Sequence, residues 1–236
     1  MIKEALVLAG GLGTRLKNVV QDRPKPMALI NGRPFLEYLL DFLMHSGVKK
    51  VILAVGYKKE YIKDHFGTTY KNLSIIYSEE DEPLGTGGAI KKALTLIEQK
   101  DFFILNGDTY FKINLKSFLG LHKEKKSILS IALKFTKNSQ RYGTVMIDDE
   151  NKIIGFEEKG KSSEGLINGG IYIASKKILG ILNELPEKFS FEKDFLEKFY
   201  HNFVFYGFPF DEYFIDIGVP EDYERAQKEF ESFTDR

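Results

Sequence analysis

Glycines and two cations lie close together near the start of the chain, in "LAGGLGTRL" (8–16) and "RPKPM" (23–27). Glycines allow positive φ and close approach of backbone N–H groups to a ligand, and successive N–H groups in such a loop bind anions. Arg15 offers a bidentate fork to a phosphate, and Lys25 offers a point charge. These residue types predict a phosphate-binding loop, although the glycines alone are equally compatible with a structural turn.

The lysine of the second stretch lies between Pro24 and Pro26. Each proline fixes its own φ and restricts the residue before it, so the backbone beneath Lys25 is stiff. A solvated surface lysine would not require such stiffness. We therefore interpret Lys25 as a functional cation; the alternative is a rigid loop that carries incidental charges.

Two well-known phosphate-binding motifs do not match the glycine-rich stretch. The dinucleotide-binding fingerprint requires a glycine where this chain has Leu16. The P-loop requires Lys and then Ser or Thr after its last glycine, whereas Gly13 is followed by Thr14 and Arg15. If the stretch binds phosphate, it does so as a different kind of loop.

Two aspartates follow predicted strands that lie far apart in the sequence. Asp108 comes after "FFILNG", and Asp216 lies within "YFIDIGVPEDY". Carboxylates at the carboxyl ends of strands are well placed to bind Mg²⁺, which prefers oxygen ligands. Asp108 is equally compatible with a helix N-cap or a turn, and the sequence alone does not show that the two carboxylates converge.

Elements that would position these residues follow from hydrophobic periodicity. Short apolar runs predict strands, and apolar residues at helical spacing, such as those after Pro34, predict helices between them. In the first half we expect strands at 4–9, 51–55, 73–77 and 102–105, and helices at 35–46, 58–66 and 87–98. The second half favours strands at 127–135, 143–147, 152–157 and 169–173, helices at 175–183 and 220–233, and an aromatic strand-like run at 203–217.

Alternating strands and helices indicate a mostly parallel sheet with helices on both faces. We therefore expect an α/β fold: a Rossmann-like three-layer α/β/α arrangement with a mixed, mostly parallel central sheet and a small additional β-hairpin lobe. The 236 residues contain no Pro/Gly/Ser-rich linker and no repeat, which favours a single domain, 1–236.

Composition excludes several classes of protein. The 34 Lys and Arg residues balance the 34 Asp and Glu residues, which argues against a nucleic-acid partner. Cysteine is absent, which removes disulfides, thiol catalysis and Cys-based zinc sites. The apolar run at 5–9 is too short for a signal peptide or a membrane span, so we expect a cytoplasmic protein without a membrane partner.

The two stretches at 8–16 and 23–27 resemble the signature of the sugar-1-phosphate nucleotidyltransferases, and the likeness extends through most of the chain. Residues 13–40 are similar to the D-glycero-α-D-manno-heptose 1-phosphate guanylyltransferases. The resemblance implies Arg15, Lys25 and Asp108 as catalytic residues, Asp108 and Asp216 as ligands of Mg²⁺, and a homodimer as a compatible assembly. It also implies a nucleotide-binding part at about 1–115, with Leu8, Ala9, Gly10, Gly11, Gly13, Thr14, Arg15, Lys25, Glu80, Pro83, Gly85, Thr86, Asn106 and Gly107 at the nucleotide.

The acidic stretch "SEEDEPLGTGGAI" (78–90) bears on the choice of base. Such a run is usually solvated. However, an ionised carboxylate suits guanine, which presents N–H donors at N1 and N2, and in the family the residue matching Glu80 reads the base. Gly85, Gly87 and Gly88 indicate a loop that approaches a flat ligand before a helix. The sequence therefore favours GTP.

The later part of the chain, about 116–236, is expected to bind the sugar phosphate. By the resemblance, Glu158 holds sugar hydroxyls, Lys159 holds the sugar phosphate, and Gly143, Asn168 and Gly169 line the site. The glycines are also compatible with plain hairpin turns. Many relatives have proline after the Glu-Lys pair, whereas here the residue is Gly160.

The expected reaction is Mg²⁺-dependent transfer of a nucleotidyl group from GTP to a sugar 1-phosphate, giving a GDP-sugar and pyrophosphate. The heptose resemblance implies surface-polysaccharide precursor synthesis. Three alternatives stay open: another nucleotide or sugar, a non-catalytic regulatory homologue that senses nucleotide sugars, and a glycosyltransferase. A glycosyltransferase would favour an Asp-x-Asp motif, whereas Asp108 is followed by Thr109 and Tyr110.

Overall fold

The computed structural model describes residues 1–11 and 22–233, which form fourteen strands and seven α-helices. The strands are β1 Glu4–Leu8, β2 Leu29–Ile30, β3 Arg33–Pro34, β4 Lys50–Val55, β5 Thr69–Tyr70, β6 Leu73–Glu79, β7 Asp101–Asn106, β8 Thr109–Phe111, β9 Leu129–Thr136, β10 Thr144–Ile147, β11 Ile153–Glu157, β12 Gly165–Ser175, β13 Tyr206–Phe210 and β14 Phe214–Asp216. The α-helices are α1 Phe35–His45, α2 Lys59–Phe66, α3 Gly85–Ala93, α4 Leu115–Glu124, α5 Ile178–Leu182, α6 Glu197–Phe199 and α7 Pro220–Glu229.

Four strands form the parallel part of the central sheet, in the order β7-β1-β4-β6. Their nearly continuous apolar sequences suit strands that are covered on both faces. Leu8 at the end of β1 is in register with Ala54 of β4 and Asn106 of β7. The carboxyl ends of these strands therefore meet at one edge, where a ligand is expected in an open α/β sheet.

The second half of the chain extends this sheet, mostly through antiparallel pairs. β12 pairs with β7, β9 and β10, and β13 runs parallel to β9. The β10–β11 hairpin is the predicted additional hairpin, and it continues the main sheet because Thr144 pairs with Ile167. The prediction of a mixed, mostly parallel sheet is confirmed.

Helices cover both faces of the sheet, as predicted. Along β1, Ala5 and Val7 pack into one core and Leu6 into the other, because successive strand side chains point to opposite faces. The first core takes the apolar faces of α1, α2, α4 and α7, and the second takes those of α3 and α5. The result is the three-layer α/β/α arrangement.

Helix α4 is an element that the sequence analysis missed. Its Leu115, Phe118 and Leu119 are buried at helical spacing, and the side-chain oxygen of Asn114 accepts from the N–H groups of Lys116 and Ser117 at 3.0 Å each. An asparagine N-cap before this spacing was a readable signal.

The predicted aromatic run at 203–217 divides between two sheets. β13 joins the main sheet beside β9, whereas β14 pairs with β8 in a separate two-stranded sheet. The helix predicted at 220–233 is α-helical only to Glu229, and a 3₁₀ turn follows it.

None of the helices in the described ranges is both long enough and apolar enough to span a bilayer.

Candidate active site

A cavity of about 470 Å³ opens where the parallel strands end at their carboxyl edge. Its walls come from the ends of β1, β4 and β7, the Pro-Lys-Pro turn, the loop before α3 and the turn after β14. The described residues that line it are Leu8, Gly10, Gly11, Lys25, Pro26, Ala54, Glu80, Pro83, Gly85, Thr86, Ala89, Asn106, Asp108 and Gly218.

Most of the predicted nucleotide residues lie at this cavity. Ala9 and Gly107 support its floor: the N–H of Ala9 donates to the Ala54 carbonyl at 2.8 Å, and that of Gly107 donates to the Leu8 carbonyl at 2.9 Å. A Cβ at position 107 would lie 2.4 Å from the Leu8 oxygen, so only glycine fits there. The predictions for Gly13, Thr14 and Arg15 fall outside the described residues.

Lys25 lies between the two predicted metal ligands. Its Nζ is 2.5 Å from Oδ2 of Asp108 and 3.7 Å from Oδ1 of Asp216. The lysine begins a 3₁₀ turn, Lys25–Met27, closed by a 2.8 Å bond from the Met27 N–H to the Pro24 carbonyl, and Pro26 and Met27 are buried. The stiff turn predicted from the two prolines therefore holds the lysine at the cavity.

Pairing between short strands brings Asp216 to Asp108. β14 and β8 are antiparallel, and Asp216 is in register with Thr109, the residue after Asp108. The N–H of Ile217 donates to the Asp108 carbonyl at 3.0 Å. The two carboxylates, which are 108 positions apart in the sequence, thus converge on one ammonium group.

The environment of Asp216 disfavours its charge. Burial and the neighbouring carboxylate of Asp108 raise the pKa of Asp216, and Lys25 offsets this only in part. Its Oδ1 accepts a 2.8 Å bond from the Gly218 N–H, and a Cβ at position 218 would lie 2.8 Å from Oδ1 and 3.0 Å from the Lys25 Nζ. The absence of a side chain at Gly218 therefore leaves room for these two groups, which a Cβ would displace.

These side chains fit Mg²⁺. In the described part of the chain there is no group of three or more His, Cys, Asp or Glu residues that could hold a metal, so the described protein ligands at this cavity are the two carboxylates of Asp108 and Asp216. Mg²⁺ commonly binds through one or two carboxylates while water and substrate phosphates complete its shell. Among the residues that the structure describes, the two adjacent carboxylates share one lysine, which leaves negative charge that a cation would neutralise.

Glu80 faces the cavity beside the loop that follows β1. Its N–H donates to the Val55 carbonyl at 2.7 Å, and its Oε2 accepts from the Leu84 N–H at 3.0 Å. A Cβ at position 10 would lie 3.3 Å from Oε1, which shows how closely this oxygen approaches Gly10. Burial raises the pKa of Glu80 above its usual range.

Gly85, Gly87 and Gly88 lie in the first turn of α3, and all three pack against segment 187–189. Gly85 also lines the cavity; it has φ of +74°, and an added Cβ would lie 2.5 Å from the Phe189 carbonyl oxygen. At Gly87 an added Cβ would lie 2.1 Å from the Phe189 ring, and at Gly88 it would lie 2.2 Å from the Glu187 carbonyl oxygen. The interpretation of Gly87 and Gly88 as ligand-facing is wrong, because they pack against protein.

Asn106 presents a hydrogen-bond acceptor that the described residues do not use. Its Oδ1 is buried and has no partner among them, and the residue lines the cavity. A buried acceptor without a partner is costly, so a ligand donor at this position would be favourable.

The residues predicted for the sugar phosphate are not among the described residues that line the cavity. Asn168 and Gly169 lie within β12, where Asn168 Nδ2 donates to the Tyr172 hydroxyl at 2.7 Å. A Cβ on Gly169 would lie 2.5 Å from the Phe111 ring, and one on Gly143 would lie 2.8 Å from the Glu157 carbonyl oxygen. Close packing against neighbouring protein atoms therefore explains both Gly169 and Gly143.

Glu158 and Lys159 lie in an exposed turn after β11. Gly160, in the same turn, has φ of +85°, which proline cannot adopt. The chain therefore departs from the proline-containing pattern in backbone conformation as well as in residue type.

Arg141 and Glu192 are charged residues near the site that the sequence analysis did not select. Arg141 contacts Asp222 and the Tyr142 hydroxyl, and its charge acts against the raised pKa of Asp216. Glu192 bonds to Thr86 across 106 positions. The stretch "RYGTV" pointed to the neighbourhood of Arg141, whereas no sequence signal pointed to Glu192.

Comparisons with known proteins agree with this architecture. A family model described as nucleotidyl transferase matches residues 4–232. A D-glycero-α-D-manno-heptose 1-phosphate guanylyltransferase from Aneurinibacillus thermoaerophilus is 51% identical over 230 residues, which cover 98% of this chain and 99% of that protein. The enzyme of the same name from Campylobacter jejuni is 49% identical over 93% of this chain and 96% of its own length.

A solved structure shares the fold. The crystal structure of HddC from Yersinia pseudotuberculosis complexed with GMP-PN has a TM-score of 0.85 at 44% identity, with 97% of this chain and 100% of that chain covered. Because the family model spans nearly the whole chain and these relatives match over almost their full lengths, the chain belongs to the nucleotidyl transferase family.

Proposed function

We propose that this chain transfers the guanylyl group of GTP to D-glycero-α-D-manno-heptose 1-phosphate, giving the GDP-sugar and pyrophosphate. The observation that carries the proposal is the position of Lys25 between Asp108 and Asp216 at the cavity. The names of the two guanylyltransferases that match over almost the whole chain support the choice of substrates.

In this reaction an oxygen of the sugar phosphate attacks the α-phosphorus of GTP, and the bond from that phosphorus to the pyrophosphate oxygen breaks. The attacking phosphate is already ionised at neutral pH, so a general base is not required. The protein must instead align two anions and reduce their repulsion. We assign this task to Lys25, together with Arg15 from the glycine-rich stretch.

Asp108 and Asp216 are the residues that would hold Mg²⁺. Bound there, Mg²⁺ would supply positive charge to the phosphates during transfer. In the free protein Lys25 compensates part of the charge of the two carboxylates, and its 3₁₀ turn keeps the ammonium at the same cavity that receives the triphosphate.

We assign guanine recognition to Glu80. Ionised Glu80 can accept from N1–H and N2–H of guanine, and the oxygen that bonds Leu84 retains a second lone pair. The unpartnered Oδ1 of Asn106 would accept from a nucleotide hydroxyl. Residues 1–115 would then bind the nucleotide, and residues 116–236 the sugar phosphate through Gly143, Glu158, Lys159, Asn168 and Gly169. A homodimer remains compatible with this assignment.

Pyrophosphate release tests the proposal. GTP, UTP, CTP and dTTP are each combined with heptose 1-phosphate and with mannose 1-phosphate, with and without Mg²⁺. We expect the highest kcat/KM with GTP and heptose 1-phosphate, and loss of activity after chelation. Preference for another pair would overturn the substrate assignment, and no release with any pair would favour a regulatory homologue.

Glu80→Gln gives a sharper test of guanine recognition. The amide cannot accept from both guanine donors, so we expect the KM for GTP to rise about 100-fold while kcat with UTP changes little. In the wild type, the raised pKa of Glu80 means that protonation begins closer to neutrality than for an ordinary glutamate, so the KM for GTP should rise early as the pH falls. The variant should lack this rise. Parallel pH profiles for both proteins would contradict the assignment.

A further inference from the structure

A segment from the last quarter of the chain is bonded to the start of α3. The Phe189 N–H donates to the Leu84 carbonyl at 3.0 Å, and the Gly87 N–H donates to the Phe189 carbonyl at 3.0 Å. Phe191–Leu196 follows as a π-helical turn, a rare conformation that occurs frequently at functional sites. Backbone bonds in both directions therefore fix this segment to the wall of the cavity.

The hydroxyl of Thr86 adds side-chain bonds to the same segment. It donates to Oε2 of Glu192 at 2.7 Å and accepts from the Phe191 N–H at 2.9 Å. Oε2 of Glu192 also accepts from Ser190 Oγ at 3.1 Å, which helps to hold the carboxylate in place. A threonine hydroxyl has one proton, and Glu192 accepts it, so Thr86 has none to donate to a nucleotide. Thr86 lines the cavity, but its hydroxyl is engaged by the protein itself.

Leu84 connects this arrangement to Glu80. Its carbonyl accepts from the Phe189 N–H, and its own N–H donates to Oε2 of Glu80 at 3.0 Å. The backbone of Glu80 is fixed separately, by the bond from its N–H to the Val55 carbonyl. The terminal torsion of a glutamate is broad, so the plane of the carboxylate depends on hydrogen bonds such as the one from Leu84. The position of Leu84 therefore sets the direction in which the lone pairs of Glu80 point.

We propose that Thr86 is a positioning residue for base recognition and acts through Leu84 on the carboxylate of Glu80. The inference rests on the proposed function, which assigns guanine recognition to Glu80. With Thr86 anchored to Glu192, the start of α3 stays where Leu84 can donate to that carboxylate. Selectivity for guanine is thereby determined in part by residues 189–192, which are distant from Glu80 in the sequence.

Thr86→Val tests the proposal, because valine has the shape of threonine without the hydroxyl. Affinities for GTP and UTP are measured by calorimetry, and kcat/KM for both by pyrophosphate release. We expect the preference for GTP over UTP to fall about tenfold, through weaker GTP binding, as for loss of one hydrogen bond. Thr86→Ser keeps the hydroxyl and should retain the wild-type preference.

Thr95→Val is the matched control for this substitution. Thr95 is exposed in the 3₁₀ turn directly after α3, and its hydroxyl donates to the Lys92 carbonyl at 2.9 Å. The control therefore also loses one hydroxyl bond, but at the far end of the helix, and the preference for GTP should not change.

A double variant separates the positioning of Glu80 from general loosening of the cavity wall. In Glu80→Gln, addition of Thr86→Val should not lower the preference for GTP further, because the residue through which Thr86 acts is already replaced. The inference is overturned by a further fall in that background. It is also overturned if Thr86→Val leaves the preference unchanged or weakens GTP and UTP binding equally.

Glu192→Ala keeps the test decisive if Thr86→Val fails to fold. It removes the acceptor for the Thr86 hydroxyl and should also lower the preference for GTP, whereas Glu187→Ala, at an exposed position nearby in the chain, should not. An unchanged preference in Glu192→Ala would then contradict the inference. Wild-type protein that prefers GTP in binding but releases no pyrophosphate would refute the proposed function alone, and calorimetry of the variants would still decide the inference. Equal wild-type affinities for GTP and UTP would refute the assignment of Glu80 and the inference with it.

Discussion

Two clusters of charged side chains use the same residue types with opposite electrostatic results. The Arg33 cluster consists of Arg33, Glu37, Asp41, His65 and Lys71 and joins β3 and α1 to α2 and the turn after β5. The Lys25 cluster consists of Lys25, Asp108 and Asp216 and lies at the cavity. Each cluster has two carboxylates, but among the described residues only the first has a cation for each of them.

In the Arg33 cluster each carboxylate has more than one partner. Arg33 Nε bonds to Glu37 at 2.7 Å and its Nη2 contacts Asp41, while Lys71 bonds to Asp41 and His65 to Glu37 at 2.7 and 2.8 Å. Burial raises the pKa values of Glu37 and Asp41, but these bonds outweigh it and hold both below their usual range. Such a cluster stabilises the fold and leaves little charge for a ligand.

In the Lys25 cluster one ammonium serves two carboxylates. Burial, followed by the neighbouring Asp108, raises the pKa of Asp216, and Lys25 lowers it only in part. Burial raises the pKa at Glu37 and Asp41 as well, but there the bonds to several partners outweigh it. An unbalanced carboxylate pair in a cavity is the arrangement expected where a cation and phosphates must bind.

Replacement of Lys25 should produce the largest effect. We expect Lys25→Ala to lower kcat about 100- to 1,000-fold, because the charge that faces the phosphates is lost, while cooperative unfolding is retained. Pyrophosphate release and urea unfolding measure the two quantities. Lys71→Ala is the matched control, since it removes an ammonium from the Arg33 cluster and should leave kcat unchanged. Near-normal turnover in Lys25→Ala would show that the Lys25 cluster does not have the functional role that distinguishes it from the Arg33 cluster.

Replacement of Arg33 should lower stability and leave turnover unchanged, the reverse of what we expect for Lys25. Arg33→Ala leaves Glu37 and Asp41 without their shared cation, and we expect the free energy of unfolding to fall by about 2 kcal/mol while kcat stays unchanged. Urea unfolding at neutral pH provides the measurement, with Arg33→Lys as the conservative control.

The pH dependence of that loss has a defined sign. Both carboxylates have folded-state pKa values below their unfolded values, so their stabilisation is present above the unfolded pKa and is lost as the pH falls through the folded pKa. The difference between wild type and Arg33→Ala should therefore shrink in acid. A difference that persists at low pH would indicate that lost packing of the Arg33 side chain, rather than charge, causes the destabilisation.

Neutralisation of Asp216 should have the smallest effect on stability and sharpen the comparison. Its folded-state pKa is raised, so at neutral pH its ionised form is held at a cost to folding. We expect Asp216→Asn to increase the free energy of unfolding by about 1 kcal/mol and to lower Mg²⁺-dependent pyrophosphate release, by less than Lys25→Ala does. The amide oxygen can still accept from the Gly218 N–H, so that bond is retained. If Asp216→Asn instead lowers the free energy of unfolding, the charge of Lys25 fully offsets the cost of keeping Asp216 ionised in the folded protein.

The parallel half of the fold was predictable because its signals are local. Apolar runs located β1, β4, β6 and β7, and Pro34 before apolar residues at helical spacing located α1. β12 was placed at 169–173 but extends over Gly165–Ser175, because Gly169 and Gly170 interrupt the apolar pattern of this strand. Gly169 is explained only by the Phe111 ring, which a sequence pattern does not show.

The site was predictable in its residue types but not in its connections. Lys25 between two prolines and Asp108 after an apolar strand carry their signals within a few residues. Glu192 has none, because its role depends on a segment 106 positions away from Thr86. Gly87 and Gly88 gave a misleading signal, since a glycine needed for a ligand and one needed for close packing look the same in a sequence.

The amino-acid sequence by itself determined the strands and helices of the parallel layer, the stiff turn beneath Lys25 and the presence of two strand-end aspartates, because each depends on neighbouring residues. Only the tertiary structure decided that these charges meet. The pairing of β8 with β14 brings Asp216 to Asp108 and Lys25, and no short-range preference specifies which distant strands pair. The unbalanced charge on which the proposed chemistry depends is therefore a product of strand pairing.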